Sequence, residues 1–369
     1  MKRLCTSAII LFFSISTFFS AGAPALAQAP ETAATVLDRG IGRKRELDFD
    51  RALADFDRII ERFLLGHLDW VAYAHRAHTW KLKGDPDRAI ADYDWAIKLN
   101  PRDPMLFLNR AAALVEKDRA DLASRDFAKA IELDPANVRA WFERGMLRLI
   151  AREYDAAVAD FDAVIRLDPR MANAHVNRGF ALRNRGEIAA AKASIERAIE
   201  LDPRNTLAWF NLGLLREAKA DVAGATAAYD KAIELDPKYA EAYANRGLLK
   251  WLKKDDLAGA LADFNRAVEL GESARSYFNR ALLLETQGRR DLALADFDKA
   301  IALAPKHARA YQQRGFLNLT LGKTGESQRD LAVAQRLDPS LESVPTYEST
   351  DLAERLPREE KVKRVAKRR

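Results

Sequence analysis

The chain has 369 residues, of which 48% are hydrophobic and 31% charged, with one cysteine and a formal net charge of +6. A single cysteine excludes a disulfide framework. The basic excess sits at the ends: residues 1–27 hold two of the 60 basic groups and residues 357–369 hold seven against two acidic ones, leaving 51 basic and 52 acidic groups between them.

The first element in the chain is a targeting segment. Met1-Lys2-Arg3 is a positive start, Ala8 to Phe19 an apolar run, and Ala25-Leu26-Ala27 a small-x-small cleavage site. This is the pattern of a secretory signal peptide spanning residues 1–27. The apolar run is short for a membrane span, so retention as an N-terminal anchor is the lesser alternative. Cleavage removes Cys5, and the Ala-rich segment points to a bacterial protein secreted across the inner membrane into the periplasm.

From residue 33 to 341 the chain repeats itself. Proline falls at 101, 135, 169, 203, 237, 305 and 339, always a multiple of 34 residues apart, with Gly271 at the one silent beat. With this proline at position 32, eight copies run from 70 to 341. Position 4 is Tyr73, Phe107, Trp141, His175, Trp209, Tyr243, Tyr277 and Tyr311. Positions 8 and 20 are small, as in Gly145 and Ala157, position 24 is large, as in Phe161 and Tyr229, and position 27 is mostly Ala. Spacings of 4, 8 and of 20, 24, 27 predict two amphipathic helices per copy. Gly84, Asp85 and Pro86 then read as helix stop, cap and first turn. An irregular copy at 33–69 precedes the eight, with Gly40, Ala52 and Phe56 matching positions 8, 20 and 24. The copy from 240 to 273 gains one residue between Gly247 and Ala260 and loses one between Leu270 and Tyr277.

These columns resemble the tetratricopeptide repeat, whose signature is an aromatic at 4, Gly or Ala at 8, Ala at 20, an aromatic at 24, Ala at 27 and Pro at 32. The resemblance implies an all-α, right-handed superhelical solenoid of about nine helix-turn-helix repeats. Position 11 departs from the pattern, being Arg148, Arg216, Lys250 and Asn318 in four copies.

Motifs for chemistry are scarce. His75 and His78 are spaced as a metal pair without an identifiable third ligand, and fit ordinary positions 6 and 9 better. Phosphate-loop, nucleophile-elbow and dinucleotide patterns do not occur. No catalytic, cofactor or metal residues are assigned, and an enzyme with an unrecognised site is the remote alternative. A covariation is more informative. Position 7 is Arg39, Arg76, Arg110, Arg144, Arg178, Arg246, Arg280 and Arg314, and position 23 is Asp55, Asp92, Asp126, Asp160, Asp263, Asp296 and Asp330. In one copy both charges vanish together, as Leu212 and Ala228, while Arg178 faces Ser194. The two positions are expected to form an ion pair between the helices of one repeat.

The resemblance also implies a concave surface lined by the first helix of each repeat. Position 6 supplies Asn109, Asn177, Asn211, Asn245 and Asn279; position 5 supplies Phe142, Phe210 and Phe278. Position 9 supplies Met146, Phe180, Leu214, Leu248, Leu282 and Phe316, and position 12 supplies Trp251. These residues read either as an apolar groove with amides for a peptide backbone or as packing between repeats. The family's carboxylate clamp is not carried over, because its candidates Arg139, Arg183, Arg275 and Arg309 are scattered. Residues 342–369 form a basic tail that suits weak contact with an anionic envelope surface. The expected function is a non-catalytic scaffold or adaptor binding a protein or peptide, with a tail-tethered structural scaffold as alternative and no nucleic-acid partner.

Overall fold

The computed structural model describes residues 32–62, 69–253 and 256–341; the expected signal peptide and basic tail lie outside them. The chain divides into two compact units, residues 1–118 and 119–369. In the first, the described helices are α1 (Ala33–Arg45), α2 (Phe49–Arg62), α3 (Asp69–Leu82), α4 (Pro86–Leu99) and α5 (Pro104–Glu116). In the second they are α6 (Ala120–Leu133), α7 (Val138–Ile150), α8 (Tyr154–Leu167), α9 (Ala172–Arg185), α10 (Ile188–Leu201), α11 (Thr206–Ala218) and α12 (Val222–Leu235). They continue with α13 (Ala240–Lys253), α14 (Leu257–Leu270), α15 (Ala274–Thr286), α16 (Arg290–Leu303), α17 (Ala308–Thr320) and α18 (Thr324–Leu337). The fold is all-α, a helical repeat, as the 34-residue period requires. Odd-numbered helices are the first of each repeat (helix A) and even-numbered ones the second (helix B).

Each repeat closes through its small residues. A Cβ built on Gly145 would lie 3.0 Å from the Phe161 ring, so position 8 is small because position 24 of the same repeat packs on its backbone. Position 20 is fully buried in seven copies, from Ala89 to Ala293. The Leu-Asp-Pro turn has a division of labour. The Asp side chain accepts from the backbone two residues on, as at Asp168 Oδ1 from Arg170 N at 3.0 Å. The proline cannot continue the helix, and its carbonyl accepts from position 4 of the next repeat. Trp141 Nε1 reaches Pro135 O at 3.0 Å and Trp209 Nε1 reaches Pro203 O at 2.9 Å. His175, the odd residue at position 4, makes the same contact with Pro169 O at 3.2 Å.

Among the described residues, eight turns from helix A to helix B share one backbone conformation. Gly84, Gly186, Gly288 and Gly322 are left-handed, with φ between 73 and 90°. Position 15 stays left-handed where it is not glycine: Leu47, Asp118, Arg152 and Ala220 have φ of 57–63°. The following amide closes the helix end, as Asp221 N does on Arg216 O at 2.9 Å. In the irregular copy the inserted residue falls between α13 and α14 and the deleted one between α14 and α15. Gly271 follows α14 in an extended conformation with φ −161°.

The covariation of positions 7 and 23 is an ion pair. Arg144 Nε and Nη2 donate to the two oxygens of Asp160 at 3.0 and 2.7 Å. Arg76–Asp92, Arg246–Asp263, Arg280–Asp296 and Arg314–Asp330 repeat this two-pronged geometry at 2.6–2.9 Å. Arg39 also holds Asp55. The carboxylates are buried, Asp160 to 1% exposure. In six copies the arginine also lies over the position 4 ring of its own helix, as Arg144 over Trp141 at 4.9 Å.

Two further partners lie outside that covariation. The remaining guanidinium nitrogen reaches back to position 25 of the preceding repeat: Arg76 to Asp57, Arg110 to Asp94, Arg246 to Asp230 and Arg314 to Asp298, at 2.6–2.7 Å. Arg178, facing Ser194, keeps this bond with Asp162 at 2.6 Å. The polar residues at position 11 turn to the same buried carboxylate, with Arg148 Nη1 at 2.7 Å from Asp160 and Lys250 Nζ at 3.0 Å from Asp263. Three of the four position 11 departures, Arg148, Lys250 and Asn318, are therefore supports of the ion pair, while Arg216 belongs to the repeat that lacks one. Burial opposes the charge on Arg246, but bonds to Asp263 and Asp230 hold its pKa above the ordinary value.

Removing one partner of a buried pair costs about 3–5 kcal/mol, whereas apolar replacement of both is close to neutral. Arg280→Leu, which leaves Asp296 beside an apolar Leu284, should destabilise near that range in urea melts. Adding Asp296→Ala, copying Leu212 and Ala228, should restore most of the loss; Arg144→Leu should cost less because Arg148 remains. Zero coupling in the Arg280/Asp296 cycle contradicts the assignment. Ala220→Gly and Arg152→Gly should each stabilise by about 1 kcal/mol, because left-handed backbone costs an L-residue about 1–2 kcal/mol against a smaller entropic cost of glycine. A neutral or lower melting temperature contradicts that.

Candidate functional site

Helix A has two working faces. Positions 4, 7, 8 and 11 serve the ion pair and helix B. Positions 2, 6, 9 and 12 are where successive A helices meet. Asn177 Nδ2 donates to Met146 Sδ at 3.2 Å, joining position 6 to position 9 of the preceding repeat. Arg275 Nη2 donates to Asn245 Oδ1 at 2.9 Å, joining position 2 to position 6. The solvent-facing part of this surface in the second unit, over α7, α9, α11, α13, α15 and α17, is the candidate site.

Position 5 is mostly spent on packing. Phe142, Phe210 and Phe278 lie against Phe161, Tyr229 and Phe297 of their own repeats, with ring centroids 5.7–5.9 Å apart. Phe210 also meets Tyr239 edge-on at 4.9 Å. Asn211, Asn245, Leu248, Asn279 and Leu282 are buried, Leu248 and Asn279 almost completely. Met146, Asn177, Phe180, Leu214, Trp251 and Phe316 are half-buried and keep an outer edge in solvent. Asn109 is half-buried on α5, in the first unit. The structure thus gathers an apolar strip at positions 9 and 12 and sinks most of the position 6 amides beneath it.

A polar network underlies that strip. Tyr229 Oη donates to Glu217 Oε2 at 2.8 Å, and Asn245 Nδ2 reaches Tyr229 Oη at 3.5 Å. With Arg275 on Asn245, the chain of contacts runs through three consecutive repeats. Burial, then the Glu217 carboxylate, lifts the Tyr229 hydroxyl far above its ordinary pKa, so it stays a donor.

Position 12 also carries charge in the second unit: Arg183, Glu217 and Glu285 are counterparts of Trp251. That column was legible in the sequence, since three of four consecutive copies carry an ionisable group there. Arg183 lies over the Phe180 ring at 5.2 Å. Burial lowers its pKa, with Tyr229 and Glu217 pulling the other way. Burial pushes Glu285 up to about 6, opposed by Arg290.

In the first unit, position 6 is His75, whose Nδ1 lies 2.9 Å from Lys44 Nζ of α1, while its ring stacks on Phe56 at 5.8 Å. The lysine donates, so the imidazole is neutral. Burial first, then Lys44, lowers the His75 pKa to about 3, and burial lowers Lys44 to about 8. Among the described residues no group of three or more His, Cys, Asp or Glu side chains is placed to hold a metal ion.

Comparisons with known proteins agree with this architecture. Two family models, both described as tetratricopeptide repeat, match residues 83–123, 108–172 and 176–240, and residues 274–307. A TPR repeat-containing thioredoxin, TTL4 of Arabidopsis thaliana, is 35% identical over 83 residues, 22% of this chain and 12% of that protein. DnaJ homolog subfamily C member 3 of Mus musculus is 34% identical over 101 residues, 27% of this chain and 20% of that protein. The chain thus spans a fifth or less of these relatives. Among solved structures, a tetratricopeptide repeat protein from Parabacteroides merdae superposes with a TM-score of 0.57 at 17% identity, covering 67% of this chain and 98% of its own. The Cut9 and Hcn1 hetero-tetramer structure of the APC/C superposes with 0.55 at 20% identity, covering 81% and 55%. At these identities the likeness is one of fold.

His75 makes the stability of the first unit pH-dependent. Its folded pKa of about 3 lies below the ordinary 6.5, so its contribution is complete above about 6.5 and is lost as pH falls from there toward 3. Acidifying from about pH 7 to about pH 5 should remove roughly 2 kcal/mol. His75→Phe should flatten that slope in urea melts followed over α1–α4 by hydrogen exchange; an unchanged slope rejects the assignment.

Proposed function

The chain belongs to the tetratricopeptide repeat family, and from that premise we propose that it is a non-catalytic adaptor that holds a protein or peptide against the A helices of its second unit. Proteins built from these repeats are interaction scaffolds. The observation that carries the reading is the half-buried strip of Met146, Phe180, Leu214, Trp251 and Phe316, with polar groups beneath it that are already hydrogen-bonded to one another. A partner covering that strip removes apolar surface from water at about 25 cal/mol per Å². It need not break the Glu217–Tyr229–Asn245–Arg275 network, which holds the helices in register.

The proposed compartment is the periplasm, supported by the charged start, apolar run and Ala25-Leu26-Ala27 site of the sequence. The basic residues of 357–369 support a weaker, electrostatic contact with the anionic envelope surface, which high salt reverses.

A photoreactive phenylalanine analogue at Phe180 or Phe316, in living cells, should cross-link to one discrete protein released with the periplasmic fraction. The same analogue at Trp95, exposed on helix B of the first unit, should not. Equal capture at the three positions, or capture of cytoplasmic proteins alone, overturns the reading. Deleting 357–369 should leave the cross-link intact while abolishing salt-sensitive retention in envelope fractions.

A further inference from the structure

Almost every charge on the helix A face is answered by a neighbour. Arg275 has Asn245, Glu217 has Tyr229, and Lys44 has His75. Two half-buried charges are not. Among the described residues, no hydrogen bond or ion pair reaches the Arg183 guanidinium, which rests on the Phe180 ring. None reaches the Glu285 carboxylate either, whose one electrostatic influence is Arg290. Both side chains are half-buried and both occupy position 12, on either side of the middle of the apolar strip: Arg183 on α9, then Glu217 and Trp251, then Glu285 on α15, with Met146 on α7 and Phe316 on α17 lying beyond them. Arg183 feels the Glu217 carboxylate and Glu285 feels Arg290, but neither charge is hydrogen-bonded by its counterpart. A ligand that supplies a hydrogen-bonded counterion recovers part of the cost of withdrawing the charge from water as affinity. Burial disfavours the charged form of both groups, which agrees with their waiting for a partner.

We propose that Arg183 and Glu285 are the two charged subsites of this face, and that its occupant is an extended peptide with an acidic side chain over Arg183, a basic side chain over Glu285 and apolar residues between them. The inference rests on the proposed peptide-binding reading and adds the ligand's charge order and spacing. Packed helices stand about 8–10 Å apart, so three steps from α9 to α15 span about 24–30 Å. An extended chain rises about 3.3 Å per residue, which puts the acidic and basic residues about seven to nine positions apart. The order is complementary, since the acid would meet repulsion at Glu285 and the base at Arg183.

The test uses the full chain and fluorescein-labelled peptides of about thirteen residues, built from Leu, Ser and Gly. They carry one Asp and one Lys about seven to nine positions apart, in both chain directions, or Asp alone, Lys alone, or neither. The Asp-and-Lys peptide in one direction should bind at least about 30-fold more tightly than the uncharged peptide. Arg183→Gln should erase the advantage of Asp only, and Glu285→Gln that of Lys only. Arg183→Glu should recover binding to a peptide with Lys in place of Asp, a rescue that a merely structural arginine would not give. The proposal is overturned if the uncharged peptide binds as well, or if either Gln variant weakens all peptides alike; the groove itself then stands. Failure of every peptide to bind overturns groove and charge order together. Should Arg183→Gln not fold, the Glu285→Gln arm decides alone.

Discussion

A carboxylate at position 23 is taken out of water between the two helices of a repeat, and the architecture is arranged around meeting it. A buried anion needs a cation and hydrogen bonds in good geometry, so position 7 is arginine, whose planar fork answers both oxygens at once. That commits the register of helix A against helix B, because only one rotation and one height bring Arg144 and Asp160 together at 2.7–3.0 Å. The same guanidinium lies on the position 4 aromatic, and in several copies its third nitrogen reaches position 25 of the repeat before. One side chain therefore joins a helix pair internally and ties it to its predecessor.

Substitutions elsewhere in the repeat make sense against that constraint. A polar residue at position 11 adds a second cation or donor to the carboxylate, as Arg148 and Lys250 do. In the repeat with Leu212 and Ala228, where no carboxylate is buried, Arg216 turns instead to the Gly224 carbonyl at 3.0 Å. Ser194 lets Arg178 keep its bond to Asp162 without a buried anion to answer. The ion pair is thus dispensable in single repeats, which fits stability as a sum of repeat and neighbour contributions.

With one face of helix A committed to the fold, the opposite face is free to vary, and there the repeats differ most. Position 12 runs Arg183, Glu217, Trp251, Glu285 through four successive copies. Met146, Phe180, Leu214 and Phe316 at position 9 stay partly in solvent, while Leu248 and Leu282 and the position 6 amides Asn211, Asn245 and Asn279 are buried. A surface that combines an ordered polar underlayer with an exposed apolar strip is pre-organised for a partner, since its own hydrogen bonds need not be remade on binding.

Periodicity alone determined much of this. The proline beat, the small residues at 8 and 20 and the paired loss of charge at Leu212 and Ala228 specified two helices per repeat, their boundaries and one ion pair, because these depend on contacts that recur in every copy. Position 25 escaped notice because its partner lies in the neighbouring repeat, so its covariation runs across copies: Asn265 stands there where Arg280 bonds it at 3.1 Å. The helix A face was legible only as a list of columns. Whether Phe210 faces solvent or Tyr229, and whether Asn245 meets a ligand or Arg275, depends on how one A helix sits against the next. That distance and rotation are set by side chains far apart in sequence, and only the tertiary structure decided them.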